Sequence, residues 1–64
     1  MNIFIEKENK QLELARHCTG EELLLDLKIN PATVILVRNN EVVLPEEQLS
    51  ETDTIQILSV ISGG

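Results

Sequence analysis

The stretch Thr54-Ile55-Gln56-Ile57-Leu58-Ser59-Val60-Ile61 runs without a break into Ser62-Gly63-Gly64. Ile55, Ile57, Ser59 and Ile61 alternate with Thr54, Gln56, Leu58 and Val60, and a period of two marks a β-strand. Asp53 supplies the turn before it. The rest of the chain must therefore be arranged around a closing strand that carries a glycine stem at its far end.

At the other end of the chain, Ile3 and Ile5 alternate with Asn2, Phe4 and Glu6, which predicts a first strand. Lys7-Glu8-Asn9-Lys10 is polar and turn-like, and Leu12 and Leu14 alternate with Gln11 and Glu13 in a second strand hairpinned to the first. Thr19-Gly20-Glu21-Glu22 has the pattern of a capping box, in which Thr19 accepts from the Glu22 N–H and Glu22 reaches back to the Thr19 N–H. Leu23, Leu24 and Leu27 then share one helical face, with Glu21, Glu22 and Asp26 turned mostly away. Asn30-Pro31 is expected to stop the helix, because proline pushes its predecessor out of the α region. Thr33-Val34-Ile35-Leu36-Val37-Arg38 is dense in β-branched residues and reads as a third strand. Asn39-Asn40 tolerates positive φ, so Glu41-Val42-Val43 returns as a short fourth strand. Pro45 ends it, and Pro45-Glu46-Glu47-Gln48-Leu49 suits one helical turn.

The order is β-β-α-β-β-β. One helix covers only one face of a sheet this size. The first and last strands then lie side by side and parallel at the centre of a mixed sheet of four to five strands, linked through the helix. The predicted fold class is α+β, a β-grasp: one domain over residues 1–61 and a flexible diglycine tail over 62–64.

Composition narrows the function classes. A chain of 64 residues buries only about 60% of its unfolded surface, and its core is almost purely aliphatic, with one Phe, no Tyr and no Trp. One cysteine makes no internal disulfide, and a single His with a single Cys offers no zinc or iron–sulfur site. No apolar run is long enough to span a membrane. Met1-Asn2-Ile3-Phe4-Ile5-Glu6 has no signal-peptide character. The expected home is a reducing cytoplasm. Eleven acids against five bases give a net charge of −6, which argues against nucleic acid and favours a partner with a basic docking surface. The chain is expected to be a monomer when free.

The terminal pair is the chemical feature. Glycine lacks a Cβ, so a diglycine stem enters a narrow groove closed to other residues. The Gly64 α-carboxylate is ionised at neutral pH and is able to attack the α-phosphate of ATP when another protein supplies magnesium and geometry. The resulting acyl-adenylate is open to sulfur or to an amine. This chain has no glycine-rich phosphate loop of its own, so ATP would be bound by that partner. His17-Cys18 is the one nucleophile-plus-base pair in sequence, but adjacent residues rarely face each other and no third orienting group is evident. A pre-helix loop with a free thiol is expected there, and no catalytic residue is assigned.

The whole chain resembles the small ubiquitin-fold sulfur carriers of the ThiS/MoaD family. Met1-Asn2-Ile3-Phe4-Ile5 looks like a β-grasp first strand and like the start of ubiquitin itself. Leu23-Leu24 with Leu27, Ile29 and Pro31 is similar to the helix and exit of ThiS. Val37-Arg38-Asn39-Asn40-Glu41-Val42-Val43 resembles that family's hairpin, with Asn40 where the family often has glycine. Asp53 to Ile61, followed by Gly63-Gly64, resembles the closing strand and diglycine. MoaD-type carriers are usually somewhat longer, so the length leans toward ThiS.

The resemblance implies a mechanism. An adenylating enzyme binds the domain, threads Ser62, Gly63 and Gly64 into its ATP site and makes the Gly64 acyl-adenylate, using ATP and magnesium. Sulfur from a persulfide-bearing desulfurase or from sulfide displaces AMP and leaves a Gly64 thiocarboxylate. That sulfur passes to a thiazole synthase, a molybdopterin synthase or another acceptor. The carrier binds no cofactor and catalyses nothing itself. Two other readings stay open: a ubiquitin-like modifier joined through Gly64 to lysines, and a plain β-grasp binding module.

Strand parity suggests the docking face. With Ile55, Ile57 and Ile61 toward the helix, Leu58 and Val60 face out, and Phe4 faces out in the first strand. Arg38 is taken as outward, which places Val34 and Leu36 with it and Ile35 and Val37 inside. Leu36, Arg38, Leu58 and Val60 are then expected to line the partner-docking face, and a one-residue error of parity inverts the assignment.

Overall fold

The computed structural model describes residues 1–60; Ile61, Ser62, Gly63 and Gly64 lie outside the described residues. Strand β1 (Asn2–Ile5) pairs antiparallel with β2 (Lys10–Glu13) across a single turn of 3-10 helix at Glu6–Glu8, which Asn9 closes at φ 50. A two-residue strand, β3 (Cys18–Thr19), leads into the helix α1 (Gly20–Asp26). Strands β4 (Val34–Arg38) and β5 (Glu41–Val43) form the second hairpin. A short β6 (Gln48–Leu49) pairs back onto β3, and β7 (Thr54–Ser59) closes the sheet. The main sheet has the order β2-β1-β7-β4-β5. β7 is central, parallel to β1 and antiparallel to β4, as the β-grasp expectation requires.

The core lies between α1 and one face of this sheet. Ile3 and Ile5 of β1, Ile55 and Ile57 of β7, Leu36 of β4 and Val43 of β5 meet Leu23 and Leu24 of the helix. Leu12, Leu14, Leu27, Ile29 and Val34 pack around its margin. Leu49 and Cys18 close it beneath the β3–β6 ribbon.

The capping box forms as read. Glu22 N donates to Thr19 Oγ1 at 3.1 Å, and Thr19 N donates to Glu22 Oε1 at 2.9 Å. Two more helix-start N–H groups are satisfied from outside the helix: Gly20 N donates to Glu47 O at 3.1 Å and Glu21 N to Pro45 O at 2.7 Å. The Pro45–Leu49 segment is therefore not the helical turn expected from its proline. It turns at Pro45-Glu46 and runs extended, because its carbonyls cap α1 and its β6 residues pair with Cys18 and Thr19. Cys18 keeps a free thiol as expected, but it is a buried strand residue and not part of a loop, while His17 is exposed.

The helix also ends earlier than Asn30-Pro31. Ile29 N donates to Leu24 O at 2.8 Å and Lys28 N to Leu25 O at 3.0 Å, with Lys28 at φ 61. That pair of bonds is a Schellman termination, normally built on glycine. Asn30 instead caps the 3-10 turn Pro31–Thr33 by accepting from Ala32 N at 2.9 Å.

Candidate functional site: the end of the central strand and the open sheet face

The two-residue β4–β5 turn explains how β7 is aimed. Asn39 and Asn40 sit at φ 50 and 70, both left-handed, as a primed hairpin turn demands. Asn39 also reaches across to the start of β7. Its Oδ1 accepts from Thr54 N at 3.0 Å, its N–H donates to Thr54 O at 2.9 Å, and its Nδ2 donates to Asp53 Oδ1 at 3.1 Å. Asp53 accepts from Ser50 N at 2.8 Å, and its backbone carbonyl takes the Asn2 N–H at 3.0 Å. The Asp53 carboxyl is held below the ordinary carboxylate range, mainly by the Ser50 N–H against a desolvation penalty, with help from the Asn39 amide, Arg38 and the chain's amino terminus. This polar knot ties the entry of β7 to both of its neighbours. At its exit, Val60 N donates to Thr33 O at 3.0 Å. The strand is thus paired on both sides as far as Ile57 and held from the β4 side to Val60, the last described residue. Ser62, Gly63 and Gly64, the residues singled out for chemistry, lie beyond it.

The face of the sheet away from α1 has no covering layer among the described residues. Register assigns its occupants. Ile35 lies opposite Leu58, Val37 is opposite both Gln56 and Val42, and Phe4 is opposite Gln56. Ile35 is 38% exposed, Val42 71% and Val60 50%. Leu58, Val37 and Phe4 are half-buried. This is a contiguous apolar surface of the kind that marks a protein contact, and it reaches the exit of β7 through Leu58 and Val60.

Two residues assigned to this face from sequence do not belong to it. Leu36 is 2% exposed and sits in the core opposite Ile57 and Val43. Arg38 shares its parity, opposite Ile55, and points to the helix side. There it donates from Nη1 to Gln48 O at 3.0 Å and lies 3.9 Å from Glu47, so it pins the β6 segment. A charged residue is tolerated on the inward parity because its guanidinium reaches the core margin, where it is 32% exposed and partnered by the Gln48 carbonyl and the Glu47 carboxylate. Ile35 and Val37, expected inside, take the outward places. Leu58 and Val60 lie on the outward parity as read, and so does Phe4. The missed signal was the two-residue turn itself: Asn39-Asn40 forces Arg38 opposite Glu41 and Leu36 opposite Val43, so the side of Val43 fixes the side of Leu36.

Among the described residues, no three His, Cys, Asp or Glu side chains are grouped to hold a metal ion. No helix of the described residues is long and apolar enough to cross a membrane.

Sheet order, single covering helix and central parallel pair define a β-grasp protein. Within that class the chain belongs to the ThiS family, whose family model matches residues 3–64. The resemblance to ThiS/MoaD-like carriers drawn from the residues is borne out. The chain is 40% identical over 57 residues to the sulfur carrier protein TtuB of Thermus thermophilus, a match spanning 89% of this chain and 88% of that one. It is also similar to the solution structure of a thiamine biosynthesis protein from Geobacter metallireducens. That match has a TM-score of 0.62 and 26% identity, and covers 100% of this chain and 88% of the other.

Proposed function

We propose that the chain is a sulfur carrier protein acting through the Gly64 α-carboxylate. The carboxylate attacks the α-phosphate of ATP in the magnesium-bearing site of a separate adenylating enzyme, and pyrophosphate leaves. Sulfide then adds at the acyl carbon, AMP leaves, and Gly64 becomes a thiocarboxylate; where a protein persulfide is the donor, its outer sulfur displaces AMP to give an acyl disulfide, and a second thiol cleaves that S–S bond by forming a disulfide with the donor sulfur, releasing the thiocarboxylate. A downstream synthase takes the sulfur. The structural relative's description as a thiamine biosynthesis protein favours thiazole formation as the acceptor reaction, with molybdopterin synthesis the alternative destination. The observation that carries this reading is the family match, which extends through Gly63-Gly64 and so includes the reacting end.

The structure supports a division of labour. The domain supplies a rigid base, because β7 is clamped by β1 as far as Ile57 and by β4 as far as Ser59, with one further bond from Val60 to Thr33. The open face, with Ile35, Leu58 and Val60 at its centre and Val37, Val42 and Phe4 beside them, is the docking surface for the adenylating enzyme. It replaces the set built on Leu36 and Arg38. The acidic balance of the chain favours a basic rim on that partner. The cytoplasm, where such enzymes and their nucleotides reside, is the proposed compartment.

Tandem mass spectrometry of the C-terminal peptide, on untagged protein from its native cells, tests the proposal. A thiocarboxylate on Gly64 is the expected result. A plain carboxylate that persists with ATP and candidate adenylating enzymes, or Gly64 found in amide linkage to lysines of other proteins, would overturn it in favour of a binding module or a modifier.

A further inference from the structure

The two edges of the main sheet, β2 and β5, are finished differently. In the β4–β5 hairpin the two-residue turn makes Arg38 and Glu41 a hydrogen-bonded pair. Glu41 and Val43 therefore turn their N–H and C=O groups toward β4, and Val42 and Leu44 turn theirs outward. Leu44 is then closed off by its own chain. Its N–H donates to Glu47 Oε2 at 2.9 Å, and its carbonyl accepts from Glu47 N at 3.0 Å.

On β2 the row stays open. Leu14 N donates to Met1 O at 2.9 Å, and Leu12 and Lys10 lie opposite Ile3 and Ile5 in the same ladder. Alternate residues of an antiparallel strand bond to alternate sides, so Leu14, Leu12 and Lys10 turn their amides to β1. The Asn2 N–H, which points the other way to Asp53 O, fixes the same phase. Gln11 and Glu13 are exposed and face their N–H and C=O groups outward, with no backbone partner there among the described residues. Such a row is a template for another strand.

We propose that the strand it takes is the β2 of a second copy of this chain, antiparallel and centred on Leu12. Symmetric registers that join outward-facing residues are few. Centred on Gln11, Glu13 meets Asn9, which has left the strand at φ 50. Centred on Glu13, two carboxylates stand directly opposite each other, which is destabilising. Centred on Leu12, Gln11 lies opposite Glu13 of the second copy, and Glu13 opposite its Gln11. Each such pair exchanges both backbone hydrogen bonds, and the Gln11 amide donates to the facing carboxylate. The two Leu12 side chains meet on the helix side. Leu12 is half-buried there against the core, and the contact extends that core across the joint.

The contact is small, in the class of transient interfaces, and two copies of net charge −6 repel. The dimer therefore forms at high concentration and tightens as salt screens the repulsion; the monomer expected from the sequence is its dissociated state. Because β1 lies between β2 and β7, pairing leaves Leu58 and Val60 uncovered in both copies. The dimer does not depend on the carrier reading.

Sedimentation equilibrium on the full-length protein tests it, with amide NMR over the same concentrations. The weight-average mass should rise above that of one chain in the millimolar range, more so at higher salt. The amide shifts of Gln11 and Glu13 should move with it while that of Val42 stays. Gln11→Lys, which sets a lysine opposite each Glu13, should tighten the dimer about fivefold, and Gln11→Glu should loosen it by a similar factor. The same two changes at Gln48, exposed on β6, should have far less effect, which separates the contact from net charge. Gln11→Pro removes only an outward donor, which an edge strand tolerates, and should abolish association with an unchanged circular dichroism spectrum. A one-chain mass at every concentration and salt would overturn the proposal. So would shifts that move at Ile35 and Leu58 on the open face instead, or equal effects of the changes at Gln11 and Gln48.

Discussion

The facing of β4 gives the sharpest test, because two adjacent aliphatic residues are assigned opposite fates. Leu36 is 2% exposed, lies opposite Ile57 and Val43, and is the side chain nearest the missing Cβ of Gly20. Truncating a leucine so enclosed to alanine removes its transfer energy and leaves a cavity, together about 2–5 kcal/mol. A domain of this length has a total stability of about 3–10 kcal/mol, so Leu36→Ala consumes a large part of it. Ile35, one residue away, is 38% exposed on the open face, and Ile35→Ala should cost about 1 kcal/mol. With a urea slope of about 1 kcal/mol/M for a small domain, the midpoint should fall by about 2–5 M in Leu36→Ala and by about 1 M in Ile35→Ala. The assay is equilibrium urea unfolding followed by far-ultraviolet circular dichroism. Equal losses, or the larger loss at Ile35, would show that β4 presents its other side to the helix, and the proposed docking face would fall with it.

Four further outcomes follow from particular contacts. Leu58→Arg should abolish activation by an adenylating enzyme while leaving the circular dichroism spectrum intact, since Leu58 lies opposite Ile35 on the open face; unfolding of the variant would contradict that placement. Gly20→Ala should destabilise the fold by about 1–3 kcal/mol, because a Cβ there would collide with Leu36 Cδ1 and come within 3.2 Å of Pro45 Cα and O, and thermal unfolding reads it. Lys28→Gly should stabilise by about 0.5–1 kcal/mol, since it relieves a left-handed residue at φ 61 at some cost in unfolded-state entropy; a lower melting temperature would contradict the Schellman assignment. The depressed folded-state pKa of Asp53 contributes stability that is present above its unfolded pKa and lost as pH falls through the folded value, that is, below about pH 4. Asp53→Asn should flatten that part of a stability-against-pH curve.

The amino-acid sequence discloses elements wherever a local rule is strong, and misleads where tertiary contact overrides one. The capping box Thr19-Gly20-Glu21-Glu22, the turn at Asn39-Asn40 and the alternation in β1 and β7 are each fixed by chemistry within a few residues, and each forms as read. The helix ends before the stop that Asn30-Pro31 predicts, because Lys28 occupies the left-handed position that glycine usually marks and leaves no local signal there. Pro45–Leu49 departs from the helical turn its proline predicts, because the N–H groups of Gly20 and Glu21 take its carbonyls. Val34 to Val37 is apolar on both faces, as expected of a strand beside the centre of a sheet. Its parity could not come from hydrophobicity, and Arg38 pointed the wrong way because charge at the end of a strand does not imply solvent-facing parity.

The proposed chemistry needs a reacting group that travels into another protein while its base stays fixed, and the central placement of β7 provides the fixed base. An edge strand would fray with its tail. β7 instead has β1 on one side and β4 on the other, with Ile55 and Ile57 wholly buried between them. Its opening therefore costs close to global unfolding. The last described hydrogen bond along this strand is that of Val60 to Thr33, and residues 61–64 follow it in the sequence. Four residues reach at most about 13 Å, at about 3.3 Å each. If the partner docks on the proposed face at Leu58 and Val60, its activating site must lie no deeper than this below its own contact surface. Inserting two glycines between Ser62 and Gly63 lengthens the reach by about 7 Å without touching the fold or the docking face. The expected result is unchanged binding to an adenylating enzyme, measured by titration calorimetry, with adenylation lost or strongly slowed. Undiminished adenylation would mean that the partner does not measure the stem from this surface, and the open face would lose its claim to be where the carrier docks.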